Sequence, residues 1–85
     1  MAAERGRLDI CVIYEGQKYP IELKIWRGEK SLSDGLTQTA RYMDTFGVRE
    51  GWLALFDRRL DRSWDEKIYI RRETVDGKAV TVIGL

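Results

Sequence analysis

Residues 8–14 and 18–26 alternate between apolar and polar at period two, and the turn-forming stretch Glu15-Gly16-Gln17 separates them. This pattern commits the N-terminal third of the chain to a β-hairpin. With Glu15 and Gly16 as a two-residue turn, Tyr14 faces Gln17 and Asp9 falls opposite Glu22; a four-residue turn changes the partners but keeps the parity. One face of the hairpin collects Leu8, Ile10, Val12 and Tyr14 with Tyr19, Ile21, Leu23 and Ile25, and is expected to be core. The other collects Asp9, Cys11 and Ile13 with Lys18, Pro20, Glu22, Lys24 and Trp26.

After Gly28, residues Leu32, Leu36, Thr39, Ala40, Met43 and Phe46 recur at helical spacing and make one apolar stripe. The spacing predicts an amphipathic helix of about four turns. Ser31 followed by Asp34 resembles a capping box, and Gly47 suits the C-terminus. Residues 51–56 (GWLALF) form an apolar run of strand length, buried if central, with Trp52 in the core. Residues 57–67 are polar, with five charges before Trp64, and are expected to be a loop. Residues 67–75 and 78–83 form a second hairpin around Asp76-Gly77, a dipeptide favoured in type I′ turns. Strand, strand, helix and three strands predict one α/β (α+β) domain over residues 1–85, built on a mixed sheet.

Composition narrows the chemistry. The 85 residues hold one cysteine, Cys11, and no histidine, which excludes an intramolecular disulfide, a structural zinc site and histidine-based catalysis within the chain. Acids, bases and ligands must come from Asp, Glu, Lys, Tyr or Cys. A lone thiol without a charged activator reads as a small packing residue. No apolar run approaches membrane-spanning length and no signal-peptide layout is present, so a cytoplasmic protein is expected. The net charge of +1 argues against tight binding of nucleic acid by charge alone. Ten of the 15 basic residues are Arg, however, grouped as Arg5 with Arg7, Arg58 with Arg59 and Arg62, and Arg71 with Arg72. These groups read as solvated surface or as phosphate contacts. Trp26 and Trp64 read as cover for the hairpin edges, as a dimer contact, or as platforms for bases.

The polar face of the first hairpin carries the most distinctive chemistry. Two directly opposed carboxylates, Asp9 and Glu22, repel one another unless positive charge lies between them. A divalent cation is one answer, and hard oxygen ligands suit Mg²⁺. Lys24 points to the same side as Glu22, about 6 to 7 Å farther along the strand. Its ammonium there could orient a water or offset charge on a phosphate. An exposed ion pair between Lys24 and Glu22 or Asp9 is the other reading of the same spacing.

The string Gly6-Arg7-Leu8-Asp9-Ile10, then a hairpin, then Ile21-Glu22-Leu23-Lys24, resembles the PD-(D/E)XK nuclease superfamily, whose signature is one acid followed by an acid-any-Lys triplet. Gln38-Thr39-Ala40-Arg41-Tyr42 is similar to the Gln-x-x-x-Tyr motif that accompanies the triplet in the exonuclease-like branch. Lys24-Ile25-Trp26-Arg27-Gly28 and the run from Gly51 to Arg59 look like the nuclease-fold domains at the C-terminus of AAA-type ATPases of bacteria and archaea.

The resemblance implies a restriction-endonuclease-like fold that binds Mg²⁺, with Mn²⁺ as a substitute, and cuts DNA. It assigns Asp9 and Glu22 to the metal with help from the Leu23 carbonyl, and Lys24 to the attacking water. Gln38 and Tyr42 take supporting or DNA-positioning roles, as do Arg7 and Arg27. Eight residues precede Asp9, so the family's first helix is expected to be missing, and Glu4 is the one acid there that could complete the site. The chain is accordingly expected to be the C-terminal part of a longer protein or a minimal form completed by a second copy, with a homodimer expected from the apolar edges left bare. No phosphate-binding loop of the G-x-x-x-x-G-K-[ST] kind is present, so any ATPase would be a separate domain. Two functions follow as expectations: a metal-dependent deoxyribonuclease, or a non-catalytic module of the same fold for dimerisation or docking.

Overall fold

The computed structural model describes residues 10–61 and 63–85. Strands β1 (Ile10–Tyr14) and β2 (Gln17–Ile25) precede helix α1 (Glu29–Phe46), which is followed by β3 (Glu50–Phe56). A short helix α2 (Trp64–Lys67) and strands β4 (Tyr69–Val75) and β5 (Lys78–Gly84) complete the described chain. The five strands form one mixed α+β sheet in the order β1-β2-β3-β5-β4. The central strand β3 runs parallel to both β2 and β5, and the two edge strands are antiparallel to their neighbours. None of the described helices is long and apolar enough to cross a membrane.

Both hairpins turn as their sequences require. Tyr14 pairs with Gln17 and Ile10 with Ile21, the register of a two-residue turn. Glu15 and Asp76 both have φ 51°, and Gly16 and Gly77 both have φ 79°. Positive φ at both central residues is the type I′ geometry, whose twist matches the flanking strands.

Helix α1 runs 18 residues, about five turns and one more than its apolar stripe predicts. It starts at Glu29 behind Gly28, which makes no side-chain cap. Ser31 therefore sits inside the first turn, where its Oγ accepts the Arg27 N–H at 2.8 Å, and Asp34 pairs instead with Lys30. At the other end Gly47 takes the left-handed conformation (φ 68°). Its N–H donates to the Asp44 carbonyl and the Val48 N–H to that of Met43, the Schellman arrangement.

The helix buries Gly35, Thr39, Ala40, Tyr42 and Met43, and Met43 joins Leu53, Leu55, Val80 and Val82 in the core. This overturns the expected orientation of the first hairpin. The covered face of β2 is the one bearing Pro20, Glu22 and Lys24, which the register aligns with Leu53 and Leu55 of β3. Ile10, Val12 and Tyr14, expected in the core, are 42%, 43% and 62% exposed on the opposite face. Trp52 is there too, half-buried, with its ring 5.6 Å from that of Tyr19. Alternation tells which residues share a face, whereas the docking of α1 decides which face is covered.

Two glycines settle that docking. A Cβ on Gly51 would lie 2.8 Å from Thr39 Cγ2 and 2.9 Å from Met43 Sδ, and one on Gly35 would lie 2.6 Å from Leu53 Cδ1. Each glycine thus lets helix and sheet approach more closely than any larger residue permits. The stretch 57–67, expected to be a loop, contains α2. Ser63 Oγ accepts the Glu66 N–H at 3.3 Å and Glu66 Oε1 accepts the Ser63 N–H at 2.8 Å, a reciprocal capping box that the S-x-x-E spacing encodes.

Gly51→Val should overpack the helix–sheet contact and destabilise the chain by about 1 to 3 kcal/mol. Urea denaturation checks this, as a lowered midpoint with an unchanged slope; an unaltered midpoint would mean that α1 does not rest on Gly51.

Candidate active site

The site lies on the C-terminal half of β2, on the face that α1 crosses. The described β1–β2 ladder ends at Ile10 with Ile21, so residues 22–25 pair within the described chain only with β3, from Glu22 with Leu53 to Ile25 with Phe56. Helix α1 lies across β2 and β3 on the Glu22 side. Glu22 is consequently buried, at 5% exposure, while Lys24, two residues on and on the same face, is half-buried nearer the strand end. Burying a carboxylate costs several kcal/mol unless charge or hydrogen bonds compensate it. A fold retains such a group at a covered position when it has work there or good partners.

Lys24 opens into a cleft of about 440 Å³ between β2 and the start of α1, lined also by Arg27, Lys30, Ser31 and Asp34. Lys30 and Asp34 pair at 3.3 Å on the helix surface. Three cations against one carboxylate leave the cleft positive, the balance that a phosphodiester requires. Sequence reasoning placed neither Lys30 nor Asp34 at the site, and read Asp34 only as a capping partner of Ser31. The signal was available: Lys30 follows Arg27 by three residues, at the point where the chain enters the helix.

The sequence-derived site residues divide as follows. Glu22 and Lys24 share the covered face, and Leu23 lies between them with its side chain on the other side of the sheet, as strand alternation demands. Arg27 is exposed and lines the Lys24 cleft. Gln38 is half-buried and Tyr42 is buried at 7% exposure, both on α1. Asp9, Arg7 and Glu4 lie outside the described residues, as does Arg62. Cys11, expected to pack, is exposed on edge strand β1.

Hard oxygen donors are the right kind for a Mg²⁺ ion, and of those the resemblance implies, the described residues hold the Glu22 carboxylate and the Leu23 carbonyl. Their number is short: among the described residues no three of His, Cys, Asp and Glu come together as a metal site. Any such ion needs a further carboxylate, and the sequence offers Asp9.

A second cluster borders the carboxyl ends of β2 and β3. Asp57 accepts two side-chain bonds from Arg59, at 2.6 and 2.9 Å, and the Arg59 backbone N–H at 3.0 Å. The Arg59 guanidinium lies 5.8 Å from the centre of the Trp26 ring, in cation–π range. Together with Tyr69 and Arg71 these residues line a smaller cleft of about 180 Å³. The Arg59 hydrogen bond, aided by its charge, holds the Asp57 carboxyl far below the usual carboxylate range. Comparison of the chain with family models, with curated proteins and with solved structures finds no match.

The Asp57 shift has a definite sign. Its folded pKa is depressed from the ordinary 3.8, so its contribution to stability is present above pH 3.8 and is lost as pH falls below that value. The difference in urea midpoint between the parent and Asp57→Asn should be largest near neutral pH and shrink from about pH 4 downward. A difference that stays constant down to pH 2 would show that the Arg59 pairing does not operate in solution.

Proposed function

We propose that the chain is a restriction-endonuclease-like domain that hydrolyses DNA phosphodiester bonds with the help of Mg²⁺. The observation that carries the reading is a buried carboxylate, Glu22, two residues before a lysine, Lys24, that opens from the same sheet face into a cationic cleft. The acid-any-Lys triplet and the Gln38 and Tyr42 pair on the covering helix agree with the resemblance drawn from the sequence.

In this reading Asp9, Glu22 and the Leu23 carbonyl hold the ion. Bound Mg²⁺ supplies a Lewis acid that makes water a better nucleophile near neutral pH and withdraws charge from phosphate. Lys24 orients the attacking water and offsets the negative charge that builds on the phosphate as the bond to the leaving oxygen lengthens. Arg27 and Lys30, on the rim of the same cleft, hold the flanking phosphates without reading bases. Helix α1 keeps bulk water from Glu22, which strengthens every electrostatic interaction the carboxylate makes. Tyr42 and Gln38 support the site from the helix.

The test is incubation of the chain with linear and circular DNA in Mg²⁺ or Mn²⁺, beside Glu22→Gln and Lys24→Met. The parent is expected to cut and each variant to lose at least about 100-fold in rate, the scale of a lost acid–base or charge-stabilising group. Absence of cleavage by the parent, or equal cleavage by all three, contradicts the proposal and leaves the domain as a docking module of the same fold.

A further inference from the structure

One layer of this molecule has no counterpart among the described residues. Helix α1 covers the Glu22 side of the sheet, while no described helix is seen to pack on the opposite side, whose side chains are half-buried at the centre and exposed on the two edge strands. Strands that pair in parallel normally lie in sheets covered on both faces, because they build apolar surface on both. The register makes the open face explicit: Ile10 on β1 lies beside Ile21 on β2, which lies beside Trp52 on β3. One row farther, Leu23 adjoins Ala54, which adjoins Ile83 on β5. The apolar surface reaches from Val12 on one edge strand, 43% exposed, to Ile70 on the other, 74% exposed.

We propose that this face is a homodimer interface, occupied by a second copy of the chain packed sheet against sheet. The inference stands apart from the nuclease reading, since it concerns the other side of the sheet. Its size fits: five strands spaced by ~4.8 Å and about seven residues long present roughly 24 by 23 Å. Corrugated by side chains, such a patch is of the order of the ~800 Å² that each partner contributes to a standard interface. Its composition fits a permanent contact between proteins, with aromatic residues in the patch and charge confined to the rim.

The rim charges select the partner class. Within the described strands, Glu50 at the start of β3 and Arg72 on β4 are the charged residues that the register places on this face, one of each sign. A nucleic acid or an anionic membrane would call for a basic face, and this one is balanced. A face holding one acid and one base can meet a copy of itself about a two-fold axis without net repulsion, and two-fold contacts are the commonest form of self-assembly. Two twisted sheets then pack with their strands within about 30° of one another, about 10 Å apart.

The experiment is sedimentation equilibrium of the whole chain at about 100 µM, with far-UV circular dichroism confirming that each variant is folded. The parent is expected at twice its 9.9 kDa chain mass. Val12→Lys and Ile70→Lys, both at exposed positions of the open face, should each weaken dimerisation at least tenfold. Ile13→Lys, 67% exposed but on the opposite side of the same edge strand, should leave the dimer intact. A monomeric parent, a dimer indifferent to both open-face variants, or one split by Ile13→Lys alone overturns the proposal.

Discussion

The parallel pairing of β3 with both β2 and β5 is the constraint on which the rest of the molecule depends. A parallel neighbour cannot be reached by a tight turn, so the chain must leave the sheet after β2 and return over one of its faces before β3. Helix α1 is that return. Its apolar stripe then has to bury against the strands it has just bridged, and Gly35 and Gly51 remove the atoms that would hold it off. Once α1 is seated, the two faces of the sheet differ in character: one is a packed core around Met43, Leu53 and Val82, the other is apolar and uncovered within the described chain.

The candidate site inherits its properties from that asymmetry. Glu22 would be an ordinary surface acid if the helix lay on the other side; under α1 it is a buried carboxylate in a medium where charge interactions are strong. Lys24 belongs to the same face but sits near the strand end, where the helix begins and Arg27 and Lys30 are at hand. Burial of the acid and access for the lysine thus come from one helix crossing one strand. The open face follows from the same cause, because among the described residues the one long helix shields the five-stranded sheet on one side.

Local chemistry in this chain was legible, and the global choice of side was not. Asp76-Gly77 announces a type I′ turn, and Glu15-Gly16 read as a two-residue turn gives the register that opposes Ile10 to Ile21. The stripe from Leu32 to Phe46 announces α1, and Gly47 its end. Residues Ile10, Val12 and Tyr14 look like core because they are apolar and alternate, yet alternation is symmetric between faces and says nothing of where a helix from another part of the chain will dock. Trp52 misleads for the same reason. The short helix at Trp64–Lys67 was legible in Ser63 and Glu66, but it is hidden by the density of charge around it. At the site, spacing alone placed Glu22 and Lys24 together; the burial of Glu22 and the cationic cleft need the third dimension.

In the proposed function the carboxylate beneath α1 is a metal-binding group, and paramagnetic broadening of backbone amide resonances on titration with Mn²⁺ reports on it. Broadening is expected to centre on Glu22, Leu23 and Lys24 at substoichiometric metal and to be abolished in Glu22→Gln. Broadening confined to exposed acids such as Asp65 and Glu66, or identical in the parent and Glu22→Gln, would contradict it.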